Sequence, residues 1–102
     1  MFVNMVQSPK SNNQIHLTVM NFEDIVYEGN VIALSSENEQ GVFDILPLHT
    51  NFISIIRKKI TLYESEGVKK DIPIKTGILK AIENNVSVFL GLEGTQIDLP
   101  NT

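Results

Sequence analysis

Apolar residues recur at every second position along much of this chain, and that spacing confines it to extended, half-buried strands. Ile15, Leu17 and Val19 fall on one side of an extended segment, with His16, Thr18 and Met20 on the other. The alternation returns at Ile60 and Leu62 and again at Ile72 and Ile74, on either side of the polar stretch Glu64-Ser65-Glu66-Gly67, which reads as a hairpin. Ile78, Lys80 and Ile82 then alternate with Leu79 and Ala81, and the pattern resumes at Val86, Val88 and Leu90. Asn84-Asn85 falls between these runs and suits a tight turn, because asparagine tolerates positive φ, so a second hairpin is expected there. Shorter apolar runs at 25–28, 31–34, 42–46 and 52–56 are bounded by Gly, Pro, Asn or charged residues. No window beyond about two turns holds a 3.6-residue period, and residues 51–59 are too rich in isoleucine to favour helix. The spacing predicts an all-β fold, a two-sheet β-sandwich of short, mostly antiparallel strands.

With 102 residues there is room for one core only. The expected division is a flexible tail at 1–14, a β-sandwich domain at 15–93 and a flexible carboxy-terminal tail at 94–102. Residues 1–6 are apolar, but too few for a signal-peptide core, and residues 7–14 are too polar to offset the entropy of ordering them. A composition of 42% apolar and 20% charged residues supports a sandwiched core and not a lipid-facing surface, so no direct membrane insertion is expected. The net charge of −4 argues against nucleic acid as a partner, since phosphate binders carry a basic excess. The absence of cysteine removes disulfides, thiolate metal sites and cysteine nucleophiles together.

Catalysis needs a nucleophile or metal beside an acid or base, and the chain offers two histidines, His16 and His49. It contains no H-E-x-x-H, G-x-x-x-x-G-K-[ST], G-x-S-x-G or G-x-G-x-x-G motif. No catalytic residue, metal ligand or cofactor is therefore expected. His16 reads as a half-exposed strand residue, because no second or third ligand is spaced near it. His49 follows Ile45-Leu46-Pro47-Leu48 and reads either as a turn histidine bonding a nearby carbonyl or as an interface contact. Glu37-Asn38-Glu39, with Asp44 nearby, lacks calcium-loop spacing and reads as a solvated loop. Arg57-Lys58-Lys59, with Lys69-Lys70 across the hairpin, reads as a charged strand edge that discourages edge-to-edge pairing.

The segment from Gly41 to His49 resembles the G-E-[FL]-G-[VI]-L-P-G-H motif of the epsilon subunits of F-type rotary ATP synthases. Gly41, Phe43, Ile45, Leu46, Pro47 and His49 match it. Tyr27-Glu28-Gly29 is similar to the family's aromatic, polar, glycine turn, with 31–34 as the strand after it. Thr76-Gly77-Ile78-Leu79-Lys80 and Asn85-Val86-Ser87-Val88-Phe89-Leu90 resemble two later family strands, so the likeness spans about 15–92. Val42, Asp44 and Leu48 depart from the motif, and Leu48 stands where glycine would accept positive φ. The resemblance implies the amino-terminal β-sandwich domain, with the family's helical hairpin absent after 94–102 and with it the inhibitory latch. It implies a non-catalytic central-stalk subunit with two partners, the gamma shaft and the membrane rotor ring, at the cytoplasmic face of the cell membrane. It also implies that Gly41, Val42, Phe43, Leu48 and His49 form the ring-facing loop. The competing readings are a stand-alone β-sandwich adaptor derived from that domain and, much weaker, a small hydrolase.

Overall fold

A computed structural model of the chain describes residues 14–48 and 51–91. Apart from Gln14, both expected tails lie outside the described residues, and so does His49. Seven strands follow one another: β1 Ile15–Met20, β2 Ile25–Val31, β3 Ala33–Asn38, β4 Gly41–Ile45, β5 Phe52–Ser65, β6 Val68–Ile82 and β7 Asn85–Leu90. They hydrogen-bond in the order β2-β1-β7-β6-β5-β3-β4, antiparallel throughout except for the parallel pair β1 and β7.

The all-β sandwich expected from the alternation is what forms, but its two layers share strands. β5 and β6 are long, 14 and 15 residues, and join runs that the sequence showed as separate. Residues 52–57 of β5 pair with 76–81 of β6, beside β7, β1 and β2. Beyond them, 59–65 of β5 pair with 68–73 of β6, beside β3 and β4. The register slips between Arg57 and Lys59, so that two strand positions on β5 face three on β6. An extra residue reverses which side chains point inward, and β6 buries Ile74 before this bulge but Leu79 and Ala81 after it.

The inward positions converge on one cluster: Ile15, Leu17 and Val19 from β1, Val86 and Val88 from β7, Leu79 and Ala81 from β6, and Ile56, Ile60 and Leu62 from β5, with others. Fully burying such a side chain contributes about 1.5–3 kcal/mol, which makes this shared cluster the main support of both layers. Gly77 permits the close approach of β6 and β7, since a Cβ there would stand 3.1 Å from the Phe89 carbonyl oxygen.

Several local expectations need correction. Residues 31–34 are not one strand. The chain turns a corner at Ile32, whose N–H donates to the Tyr63 carbonyl at 2.8 Å and carries the chain from one layer to the other. Tyr27-Glu28-Gly29 lies within β2 and not in a turn, with Gly29 opposite Leu17. The Tyr27 ring lies over Gly29 and its hydroxyl donates to Glu64 Oε2 at 3.1 Å, closing the β2 edge against the β5–β6 hairpin. Arg57-Lys58-Lys59 is not at a sheet edge, because β5 is flanked by β6 and β3. Glu37 and Asn38 belong to β3 rather than to a loop. The β6–β7 turn is centred on Glu83 and Asn84, with Ile82 opposite Asn85, and its positive φ of 55° falls on Glu83 instead of an asparagine.

Candidate partner-binding surface

Among the described residues of the glycine-to-histidine motif, Gly41, Val42, Phe43 and Leu48 do not gather on one surface. Gly41, with φ of 122°, opens β4 at the β3–β4 turn, a conformation that favours glycine. Val42 points outward and is 74% exposed. Phe43 points the other way and packs edge-on against Phe52, ring centroids 5.3 Å apart, as a satellite of the core. Leu48 lies beyond the far end of β4, exposed, in the connection to β5. Its φ of 65° is the left-handed conformation that a glycine would take there, so the turn keeps a glycine-like path in spite of the Cβ. The Leu48 N–H donates to Asn84 Oδ1 at 2.7 Å, and the Glu83 N–H donates to Asn51 Oδ1 at 3.1 Å, which ties this connection to the β6–β7 turn.

A second feature has no counterpart in the motif. Ile55, Ile78, Phe89, Met20 and Ile25 are successive cross-strand partners on β5, β6, β7, β1 and β2. Four of them are large apolar side chains left substantially in water, Ile55 at 69% and Ile25 at 56%. At strand spacings of about 4.8 Å the row runs on the order of 19 Å across the sheet. Ile53, also exposed, adds to it at one end, and the next row continues through Lys80, Ser87, Thr18 and Glu28. Single exposed apolar residues are ordinary, whereas a contiguous row rimmed by polar groups marks a contact surface. Its signal was present in the sequence: on half-buried strands the outward phase should be polar, yet Met20, Ile53, Ile55, Ile78 and Phe89 all occupy it.

Where β5 and β6 continue into the other layer, the outward face is charged. Glu37 Oε2 receives both Arg57 and Lys58 at 3.2 Å, and the Lys58 hydrogen bond leads the effects that hold its carboxyl below the ordinary range. Lys58 sits at the bulge with φ of 75°. Asp71 is likewise lowered, first by the Thr61 hydroxyl that donates to it at 2.7 Å and then by Lys59. On β1, His16 places Nδ1 3.1 Å from Asn30 Oδ1 and Nε2 2.9 Å from Glu28 Oε2. Its pKa is raised above 6.5, first by the Asn30 bond and then by Glu28, because two acceptors favour the imidazolium. His16 is thus the half-exposed strand residue expected, engaged by its neighbour strand. Among the described residues no three His, Asp or Glu side chains are placed to hold a metal, and no helix is long and apolar enough to cross a membrane.

Residues 14–90 match the family described as the ATP synthase delta/epsilon chain, beta-sandwich domain. The chain belongs to that family. Its relatives include the ATP synthase epsilon chains of Clostridium acetobutylicum, 32% identical over 76 residues, and of Nitratiruptor sp., 27% identical over 86. These alignments take in 74% and 79% of this chain, but 57% and 67% of the relatives' own lengths. Among solved structures, a chain of the Euglena gracilis mitochondrial ATP synthase, in an assembly of OSCP, F1 and c-ring, superposes with a TM-score of 0.71 at 16% identity, covering 87% of this chain and 56% of that one. A chain of the Tetrahymena thermophila mitochondrial ATP synthase central stalk and c-ring gives 0.62 at 11% identity, over 85% of this chain and 75% of that one. Likeness at such identities speaks for the fold, which agrees with the family assignment.

Proposed function

We propose that this protein is a non-catalytic central-stalk subunit of an F-type ATP synthase, linking the gamma shaft to the membrane rotor ring and so coupling ion translocation to ATP synthesis. The observation that carries the reading is the exposed apolar row on a sandwich of this family. A rotor component must transmit torque through a rigid body, and the continuous sheet supplies one. It must also adhere to its neighbours, and an apolar row five strands wide suits lasting attachment to a shaft. In this reading the row from Ile25 to Ile55 packs on gamma, while Val42, Leu48 and His49 approach the ring. Relatives named as epsilon chains and neighbours from assemblies that include a central stalk and c-ring support it. The complex would sit at the cytoplasmic face of the cell membrane, with this chain peripheral to it.

The adaptor reading draws on one observation: Leu48 gives the loop an exposed apolar side chain where the family motif has glycine. Affinity purification of the tagged chain from solubilised membranes of its source separates the two. Recovery of shaft, ring and catalytic-head subunits in constant proportion, lost when Ile55 and Ile78 are replaced by Asp, is the expected result. A folded protein that brings down none of them overturns the rotor reading in favour of the adaptor.

A further inference from the structure

Leu48 and Glu83 are non-glycine residues in the left-handed region, with φ of 65° and 55°, and they lie in two segments 35 positions apart. In each case the strained residue donates its own amide to an asparagine of the other segment: Leu48 N–H to Asn84 Oδ1, Glu83 N–H to Asn51 Oδ1. The arrangement is reciprocal. It is also anchored, because the Asn84 backbone carbonyl accepts the His16 N–H at 2.8 Å and fixes the turn to the start of β1. For residues with a Cβ this conformation costs on the order of 1 kcal/mol, and it persists only where the surroundings over-determine it. A hydrogen bond contributes a comparable amount, so each bond is of the size needed to hold one strained residue.

We infer that Asn84 and Asn51 are positioning residues that hold Leu48 and Glu83 in their left-handed conformations, so that Leu48 is presented preformed. At these two bonds the side chains accept from backbone amides, and their task is to set geometry. The inference rests on the proposed rotor reading in one respect, that Leu48 so held meets a partner. A residue already held in one conformation loses less freedom on binding than one that must be ordered, which strengthens attachment without adding any contact.

The brace itself can be tested on the isolated chain by amide hydrogen exchange followed residue by residue. Asn84→Ala should speed exchange of the Leu48 amide about tenfold, the equivalent of one lost hydrogen bond, and leave Leu17 and Val88 unchanged. Asn51→Ala should do the same to the Glu83 amide, and Asn51→Asp, which keeps an acceptor oxygen, should not. Unchanged exchange at Leu48 and Glu83 in the alanine variants overturns the inference. The second arm uses the assembled complex. Asn84→Ala should weaken retention of the chain, and Asn84→Asp, which keeps an acceptor oxygen for the Leu48 amide, should not. Equal losses of retention in Asn84→Ala and Asn84→Asp count against positioning. If exchange rises as expected while retention is untouched by Asn84→Ala, the brace stands, and it is the partner-facing reading of this connection that falls.

Discussion

β5 and β6 run through both layers of the sandwich, and their outward faces differ in character between the two. In the layer with β7, β1 and β2 the outward positions are Ile53, Ile55 and Ile78, exposed and apolar. At and past the bulge they are Arg57, Lys58, Lys59 and Asp71, paired with one another or with Glu37 across three strands. A charged face whose partners lie within the molecule is finished in water. An apolar face without a cover is finished by something else. One pair of strands can thus carry two chemically unlike outward faces, divided at the bulge where the register slips.

Substitutions can sharpen this contrast, and the largest effect should come from the core that both regions share. Leu62→Ala should lower stability by about 2–5 kcal/mol, read as a fall in the urea midpoint with the slope unchanged, because Leu62 is fully buried. Ile55→Asp should leave that midpoint nearly unmoved, since the side chain is already in water, yet weaken attachment to the rest of the complex by about 30-fold or more. Lys59→Asp in the charged half should leave attachment unchanged. Equal losses from Ile55→Asp and Lys59→Asp would erase the division.

A smaller effect is expected at the bulge itself. Lys58→Gly should raise stability, by less than about 1 kcal/mol, because relief of the left-handed strain outweighs the entropy of glycine while Arg57 still reaches Glu37. A fall in the thermal midpoint would mean that the Lys58 side chain matters more to the bulge than its backbone does.

The smallest effects are those of pH, and they have opposite signs in the two regions. His16 has a raised pKa, so its stabilisation of the β1–β2 pair is fully present below 6.5 and is lost as pH rises through the folded-state value. Glu37 has a lowered pKa, so its stabilisation of the bulge is present above 4.5 and is lost as pH falls through the folded-state value. Urea midpoints taken across these ranges should show the alkaline decline vanish in His16→Gln and the acid decline diminish in Glu37→Gln.

What the sequence disclosed follows from how local each signal is. Alternation at 15–19 and 86–90 places β1 and β7 with the right faces inward, because period two depends on nothing beyond the strand itself. The inversion of phase between Ile74 and Leu79 is masked in the sequence, because Ile78 and Ile82 keep apolar residues at even positions while the buried ones are Leu79 and Ala81. The length of β5 was hidden, since the three consecutive exposed residues Arg57, Lys58 and Lys59 at the bulge look like an interruption. The bonds from Leu48 to Asn84 and from Glu83 to Asn51 leave no local trace, as side chains meeting backbone more than 30 positions away obey no short spacing. The motif drew notice to Gly41, Val42, Phe43, Leu48 and His49 as one group, yet of the described ones Val42 points outward, Phe43 inward, and Leu48 lies beyond the far end of β4. The apolar row escaped notice because its members belong to five strands whose order no single segment encodes.

The parallel pairing of β1 with β7 has a consequence for synthesis. Of the described strands, β1 is made first and takes its place between β2 and β7, the one made latest, so Leu17 and Val19 face an open core until Val86 and Val88 have emerged. The β5–β6–β7 meander consists of neighbours in sequence and can assemble by itself, whereas closing the core over β1 joins positions 69 residues apart. A nascent chain halted before Asn85 should therefore remain open to protease in its amino-terminal third. The same chain extended well past Leu90 should become resistant in a single step.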